Sequence, residues 1–192
     1  MGDQGVALSN TQDRWGVVSK TLHWLAAGII LVQFITGFLR YFKVVSADTW
    51  AQFYTYWHMP AGIVVLALVF VRLAWRFSQP HPGLPEHMRW WERLAANGVH
   101  VYLYAAMILM PLTGWAGFNA LKIEVNPFGL NLPHLFWDIR PLSFIMADVH
   151  LYIAVGLVII LLLHVFGALK HHLIDRDDTL RRMMPKGWLK GD

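Results

Sequence analysis

The chain has 192 residues, of which 56% are hydrophobic and 15% are charged, whereas soluble domains carry about 25% charged residues. This composition excludes an ordinary soluble domain, and the length allows one domain or two small ones. The formal net charge is +4 and cysteine is absent, which excludes disulfides, cysteine-bound iron–sulfur clusters and covalently attached haem.

Four apolar stretches are long enough to cross the hydrocarbon core of a bilayer, which takes about 20 residues. They predict an all-α fold, a four-helix transmembrane bundle in which residues 1–192 form a single domain. The predicted helices cover about 21–42, 54–77, 92–118 and 146–172. The first of them follows a polar tail without a small-residue cleavage site, which indicates an uncleaved anchor rather than a removed signal peptide.

Basic residues are distributed unevenly over the two sides of this predicted bundle. The two tails and the connection between the second and third helices share one side, which holds twelve: Arg14, Lys20, Arg72, Arg76, Arg89, Arg93, Lys170, Arg176, Arg181, Arg182, Lys186 and Lys190. The opposite side holds four: Arg40, Lys43, Lys122 and Arg140. Because basic residues are retained on the cytoplasmic side of a membrane, both termini are predicted to be cytoplasmic.

The longest connection runs from Asn119 to about Phe144 on the opposite, outer side. It is apolar, but proline and glycine interrupt it at Pro127, Gly129, Pro133 and Pro141. These residues argue against a fifth span. We therefore expect this segment to fold onto the outer end of the bundle.

Two histidines, His150 and His164, lie in the last and most apolar stretch. Ionisable groups inside membrane helices are costly and are functional hypotheses by default. Their spacing of fourteen residues is close to four helical turns, so both imidazoles project from nearly one face, ~21 Å apart along the axis. His150 is therefore expected near the outer leaflet and His164 near the inner leaflet.

Each of these histidines needs a partner at its own level. His58 enters the second helix on the outer side and His23 enters the first helix on the inner side. The predicted pairs are His58 with His150 and His23 with His164. Neutral imidazole binds haem iron, and the core of a helical bundle is a usual place for such cofactors. Two pairs at two levels suit two haem groups and electron transfer, because protein fills both axial positions of each iron.

Alternatives remain open on the residues alone. His100 in the third helix matches the depth of His164 slightly better than His23 does, so it is a rival inner partner. The same histidines could instead hydrogen-bond between helices or line a zinc or copper pathway. Transport sites, however, usually cluster near the membrane midplane, and these histidines avoid it.

Several segments resemble the bacterial cytochrome b561 family, over roughly residues 12–185. They are "KTLHWL" around His23, "WHMPAGIVVLALVFVRLAWR" around His58, and "VHLYIAVGLVIILLLHVFGALKHH" followed by "RDDTLRRMMP". The resemblance implies an integral membrane protein with two haem b groups. It assigns His23, His58, His150 and His164 as axial iron ligands, which favours His23 over His100.

The resemblance also implies a function in the bacterial inner membrane. Family members pass electrons between a donor and the quinone pool, so we expect a quinone-linked oxidoreductase with ubiquinone as substrate and a periplasmic-side donor, superoxide being one candidate. Lys122 and Arg140 could attract such an anion, although Glu124, Asp138 and Asp148 oppose them.

The expected surroundings are membrane lipid and no nucleic acid. A second hypothesis is a haem b anchor subunit that accepts electrons from a larger membrane dehydrogenase or hydrogenase. A third is a histidine-lined metal transporter.

Other charged and titratable residues have two interpretations each. Arg72 and Arg76, four residues apart, either anchor the topology or pair with propionates of the inner haem through charge-assisted bonds. His171 and His172 either protonate a quinone or are simply solvated. The remaining histidines outside the spans are taken as incidental: His81, His87 and His134.

Overall fold

The computed structural model describes residues 7–135, 139–185 and Trp188. All regular secondary structure within these residues is helical. The helices are α1 Val17–Tyr41, α2 Ala47–Phe53, α3 Met59–Ser78, α4 Trp90–Asn119, α5 Arg140–Lys170 and α6 Thr179–Met183. A wide π turn, Tyr54–His58, joins α2 to α3, and a second, His171–Asp175, extends α5. A short 3₁₀ turn covers Pro127–Gly129. The all-α prediction is confirmed for these residues.

Four helical segments of the described chain are long and apolar enough to cross a membrane. They are Val17–Tyr41, Ala51–Ser78, Trp90–Asn119 and Arg140–Asp175, with 25, 28, 30 and 36 residues. Many of their large apolar side chains are exposed, as is expected where lipid rather than protein covers them. The predicted four-helix membrane fold is thus confirmed by length and composition.

All four spanning segments begin earlier than the sequence pattern suggests, and the causes are clearest at two of them. α5 begins at Arg140 rather than near residue 146, because Pro141 falls in the first turn, where a missing N–H group costs no hydrogen bond. The polar lead-in to the second span is also helical, from Ala47 onward. Asp48 in its first turn interacts favourably with the helix dipole.

Three helical segments are each followed by a non-glycine residue in the left-handed conformation, which is unusual. Lys43, Lys122 and Arg176 follow α1, α4 and the second π turn with φ of 55°, 60° and 55°. After α1, the Val44 N–H donates to the Leu39 carbonyl over 2.9 Å, which closes the terminal turn. Glycine normally occupies such a position, whereas a basic side chain here interacts favourably with the negative end of the helix dipole.

The chain divides into two compact units. The first comprises the described residues of Met1–Leu25, Phe70–Leu103 and Val158–Asp192, and the second comprises those of Ala26–Val69 and Tyr104–Leu157. The prediction of one domain over residues 1–192 stays a prediction. Three charged residues used in the charge argument above lie outside the described residues: Asp138, Lys186 and Lys190.

In the first unit, the N-terminal tail packs against the start of α1. The buried Asn10 accepts hydrogen bonds from the Gly16 N–H over 2.9 Å and the Ser19 hydroxyl over 2.7 Å, and it donates to the Pro80 carbonyl over 3.1 Å. Gly16 touches the tail so closely that a side-chain methyl group would collide with the Leu8 carbonyl oxygen. A residue larger than glycine is therefore not accommodated here.

The C-terminal segment also packs against α1 in this unit. The Lys20 ammonium donates to the Met184 carbonyl and the Trp24 indole N–H donates to the Met183 carbonyl, both over 2.9 Å. The start of the first span and the end of α6 are thus held together by direct hydrogen bonds.

In the second unit, the segment after α4 forms a packed loop. Val125 and Pro127 are almost completely buried. The buried Asn119 carboxamide accepts a hydrogen bond from the Leu135 N–H over 2.9 Å, and the Leu132 N–H donates to the Val125 carbonyl over 2.9 Å. These bonds explain how an apolar connection is ordered without forming another span.

Candidate functional site

The second unit brings His58 and His150 together. His58 is the last residue of the first π turn, and His150 lies in α5. Their ring centroids are 6.4 Å apart and their planes are inclined by 55°. Both side chains are half-buried. The pair expected from the sequence on the outer side is therefore close in space.

The π turn has a local cause. Pro60 lacks an N–H group, so the Tyr56 carbonyl has no α-helical donor four residues later. The preceding turn widens instead, and the Met59 N–H donates to the Tyr54 carbonyl. π turns occur often at functional sites, and this one sets the direction in which His58 projects.

Two further contacts support the backbone and ring of His58. The Gln33 amide of α1 donates to the His58 carbonyl over 2.8 Å. The Tyr54 ring stacks on the imidazole with centroids 5.5 Å apart and on the Phe118 ring at 4.6 Å. Gln33 of α1 thus fixes the backbone at His58, while Tyr54, itself stacked on Phe118 of α4, fixes the imidazole.

Thr113 of α4 determines which nitrogen of His150 carries the proton. Its hydroxyl oxygen lies 3.0 Å from His150 Nδ1 and donates its own proton to the Met110 carbonyl over 2.9 Å. Since the hydroxyl gives its own proton to Met110, it acts as an acceptor toward the ring, so Nδ1 carries the proton and Nε2 keeps its lone pair. A histidine that binds metal through Nε2 requires this arrangement.

The first unit brings three histidines together. The centroids of His23 and His164 are 6.1 Å apart with planes inclined by 57°. The centroids of His100 and His164 are 5.4 Å apart with planes inclined by 76°, an edge-to-face contact. His100 is exposed, whereas His23 and His164 are half-buried. Both candidate inner partners are therefore near His164, in different geometries.

The two arginines of α3 lie in the same unit. Arg72 Nη2 is 3.1 Å from His23 Nδ1; because guanidinium only donates, this nitrogen must accept. Arg76 is close to the loop residue His81, whose pKa is lowered first by burial and then by the positive charge of Arg76. Arg72 thus contacts a candidate ligand directly, and Arg76 lies one turn further along α3.

The spacing of the two pairs can be compared with that of imidazoles on one haem iron. With metal–nitrogen bonds of about 2 Å, two imidazoles on opposite sides of one metal have centroids about 6 Å apart. The distances of 6.4 Å for His58 with His150 and 6.1 Å for His23 with His164 agree with this value. The contact of 5.4 Å at His100 is shorter than this value. The donor set and its spacing therefore fit haem at each pair.

Neither pair resembles a site for a small metal ion. In the described part of the chain, one group of at least three histidine, aspartate or glutamate side chains has ligand atoms within 4.8 Å of one another: His87, His171, Asp175 and Asp177. Zinc sites in proteins usually have three or four protein ligands. A pair of imidazoles, one on each side of a gap, suits a macrocycle that supplies the other four ligands.

Several of these contacts are not apparent from histidine spacing. Thr113 and Gln33 are polar residues within apolar stretches. Such residues often form hydrogen bonds between membrane helices, so their polarity was a signal from which these contacts could have been expected. The approach of His87 to His171 joins a loop to a helix end, and no periodic pattern in the sequence reports it.

Comparisons with known proteins identify the family to which the chain belongs. The family described as prokaryotic cytochrome b561 matches residues 14–186. Cytochrome b561 homolog 2 from Escherichia coli (strain K12) is 32% identical over 183 residues, 94% of this chain and 96% of that protein. A Yersinia pestis protein named probable superoxide oxidase CybB is 30% identical over 166 residues, 86% and 92% of the two chains. Cytochrome b562 from Cereibacter sphaeroides is 29% identical over 170 residues, 85% and 90% of the two chains. This chain therefore belongs to the prokaryotic cytochrome b561 family, whose members are membrane electron-transfer proteins with haem b.

Proposed function

We propose that the protein is a two-haem electron carrier of the bacterial inner membrane that connects a periplasmic-side donor with ubiquinone. The observation that carries this proposal is the presence of two separate histidine pairs whose ring spacings, 6.4 Å and 6.1 Å, each suit one iron. One helix, α5, contributes a histidine to each pair. When bound, haem supplies one-electron oxidation and reduction, which none of the protein side chains supplies.

The protein groups in this proposal bind and orient the cofactors. His58 and His150 would hold one haem, and His23 and His164 would hold the other. Thr113 holds the proton of His150 on Nδ1, which leaves Nε2 for iron. With two protein ligands to each iron, the chemistry supplied would be electron transfer and not oxygen binding.

The arginines of α3 are proposed to bind the haem carboxylates in the first unit. A ring that binds iron through Nε2 keeps its proton on Nδ1, and a protonated Nδ1 cannot accept from Arg72. If His23 holds haem in this way, the Arg72 guanidinium would have to leave its 3.1 Å contact with Nδ1. A propionate is the natural new acceptor, because arginine–carboxylate bonds are charge-assisted. Arg76, one turn away, is the second candidate.

The substrates and the topology belong to the same proposal. Superoxide as donor is supported by the name of the Yersinia pestis relative, probable superoxide oxidase. Cytoplasmic termini are supported by the basic residues at both chain ends and in the connection between α3 and α4. The hydrogen bonds from Lys20 and Trp24 to the C-terminal segment agree with termini on one side.

The test is haem quantification and redox spectroscopy of the purified protein. A pyridine haemochrome assay should give two haem b per chain, and reduced-minus-oxidised spectra should show reduction by superoxide and reoxidation by ubiquinone. A preparation with one haem or none contradicts the two-pair assignment. Reduction only by a stoichiometric co-purifying dehydrogenase would favour the anchor-subunit hypothesis instead.

A further inference from the structure

We propose that His87, His171, Asp175 and Asp177 form a Zn²⁺ site in the first unit. Each side chain offers one ligand atom, and these four atoms lie within 4.8 Å of one another. None of them belongs to the histidine pairs assigned to haem. The proposal is therefore independent of the electron-transfer function above.

Three structural elements bring the four ligands together. His87 lies in the connection between α3 and α4, His171 and Asp175 are the first and last residues of the π turn that extends α5, and Asp177 follows that turn. The turn ends with Arg176 in the left-handed conformation, and the Asp177 N–H donates to the His171 carbonyl over 3.0 Å. This reversal of the chain directs Asp177 back toward His171.

Three of the six distances between ligand atoms are near those around a tetrahedral metal ion. With bonds of about 2.0–2.1 Å, neighbouring ligand atoms around tetrahedral Zn²⁺ are about 3.3 Å apart. His171 Nδ1 lies 3.2 Å from Asp175 Oδ2 and 2.7 Å from Asp177 Oδ2, and His87 Nε2 lies 3.4 Å from Asp177 Oδ2. Small shifts would therefore convert the present contacts into a coordination shell.

The burial of the group favours a bound cation. The side chains of His171, Asp175 and Asp177 are only 12%, 16% and 14% exposed. Carboxylates removed from water need a positive partner. His87 is 53% exposed, so it leaves a route by which an ion enters from solvent.

The charges around the site are not balanced by the contacts present. Lys170 Nζ lies 2.7 Å from Asp175 Oδ2 and 3.0 Å from Glu92 Oε1. This single ammonium contacts two carboxylates, those of Glu92 and Asp175. The third carboxylate, Asp177, contacts the imidazoles of His87 and His171, which are neutral ligands when they bind metal. A divalent ion supplies the two missing positive charges. Two imidazoles and two carboxylates suit Zn²⁺ among the common divalent metals.

The experiment is zinc binding by the full-length, haem-loaded protein in detergent, with its purification tag removed. The protein is stripped with a chelator and dialysed against a series of buffered Zn²⁺ concentrations, and bound zinc is measured by mass spectrometry. Two variants each remove one ligand: His87→Ala, at an exposed position, and Asp177→Asn, which keeps the shape of the side chain. The matched controls are His172→Ala, adjacent to the site but outside it, and His81→Ala in the same connection as His87.

The expected result is one Zn²⁺ per chain, with binding at least about tenfold weaker in both ligand variants and unchanged in both controls. The haem spectrum of every variant verifies the fold. X-ray absorption at the zinc edge should show four nitrogen or oxygen ligands, with the outer-shell scattering of two imidazoles. The proposal is overturned if the unmodified protein binds no zinc at micromolar free concentration, or if the ligand variants bind as tightly as the controls.

Discussion

Replacing Thr113 with valine tests the proposal that His150 is a haem ligand whose basicity is set through Nδ1. Valine has nearly the shape of threonine but cannot accept a hydrogen bond, so the 3.0 Å contact to His150 Nδ1 is lost. The nitrogen proposed to bind iron, Nε2, is not touched by this change, and we therefore expect the haem to be retained. What changes is the basicity of the ligand, which falls when the acceptor on its other nitrogen is removed.

The size of the effect follows from the single bond lost. A hydrogen bond inside a protein contributes about 1 kcal/mol. If the lost bond stabilised only the oxidised state of a one-electron couple, its loss would change the midpoint potential by about 40 mV. A less basic ligand stabilises ferric iron less, so the midpoint potential of one haem should rise by up to this amount while that of the other stays constant.

The assay is an optical redox titration of the two haems, with Thr36→Val as the control. Thr36 hydrogen-bonds only the Val32 and Gln33 carbonyls of its own helix, so the same chemical change there should shift neither potential. Unchanged potentials in Thr113→Val would refute the assignment of His150 as a ligand tuned through Nδ1. So would a shift confined to the haem that His164→Ala removes.

The remaining predictions concern the ligands and the packing of the N-terminal tail. His150→Ala and His164→Ala should each remove a different haem, seen as half the haemochrome yield with distinct residual spectra; retention of both haems in either variant would contradict the pairing. His100→Ala should keep both haems, because its ring contact of 5.4 Å is too short for a shared iron; loss of one haem would make it a ligand. Gly16→Ala should destabilise the protein by about 1–3 kcal/mol, because the added methyl group meets backbone atoms. Thermal unfolding in detergent measures it against Gly98→Ala, where nothing lies within 4 Å of the new methyl group; equal midpoints would be the contrary result.

The spans were predictable because the bilayer imposes a simple rule on the sequence. About 20 apolar residues without charge are needed for each crossing, and the chain contains four such stretches. Helix ends were less predictable because they depend on capping and on the exact position of proline. Proline generally indicates a loop or a helix break, yet Pro141 is compatible with the helix because it lies in the first turn of α5.

The candidate site was only partly predictable from spacing. Depth along the membrane, counted from the nearest charged residue, did not separate His23 from His100 as the partner of His164. The two differ in the distance of their ring centroids from that of His164, 6.1 Å for His23 and 5.4 Å for His100. These distances depend on how three helices pack. The approach of His87 to Asp177 likewise depends on a chain reversal at the end of α5, and the sequence contains no periodic signal for it.

The wide turn before α3 also bears on how this protein is aligned with its relatives. A π turn contains one residue more than an α turn, so it is equivalent to a single insertion within an otherwise regular helix. Deleting that residue would rejoin α2 and α3 in register and swing the His58 imidazole around the helix axis by ~100°. A relative that lacks the extra residue would therefore need a histidine at a neighbouring sequence position to place an imidazole at the same point. A gap at this position of an alignment would then indicate a changed histidine site and not a deletion without structural effect.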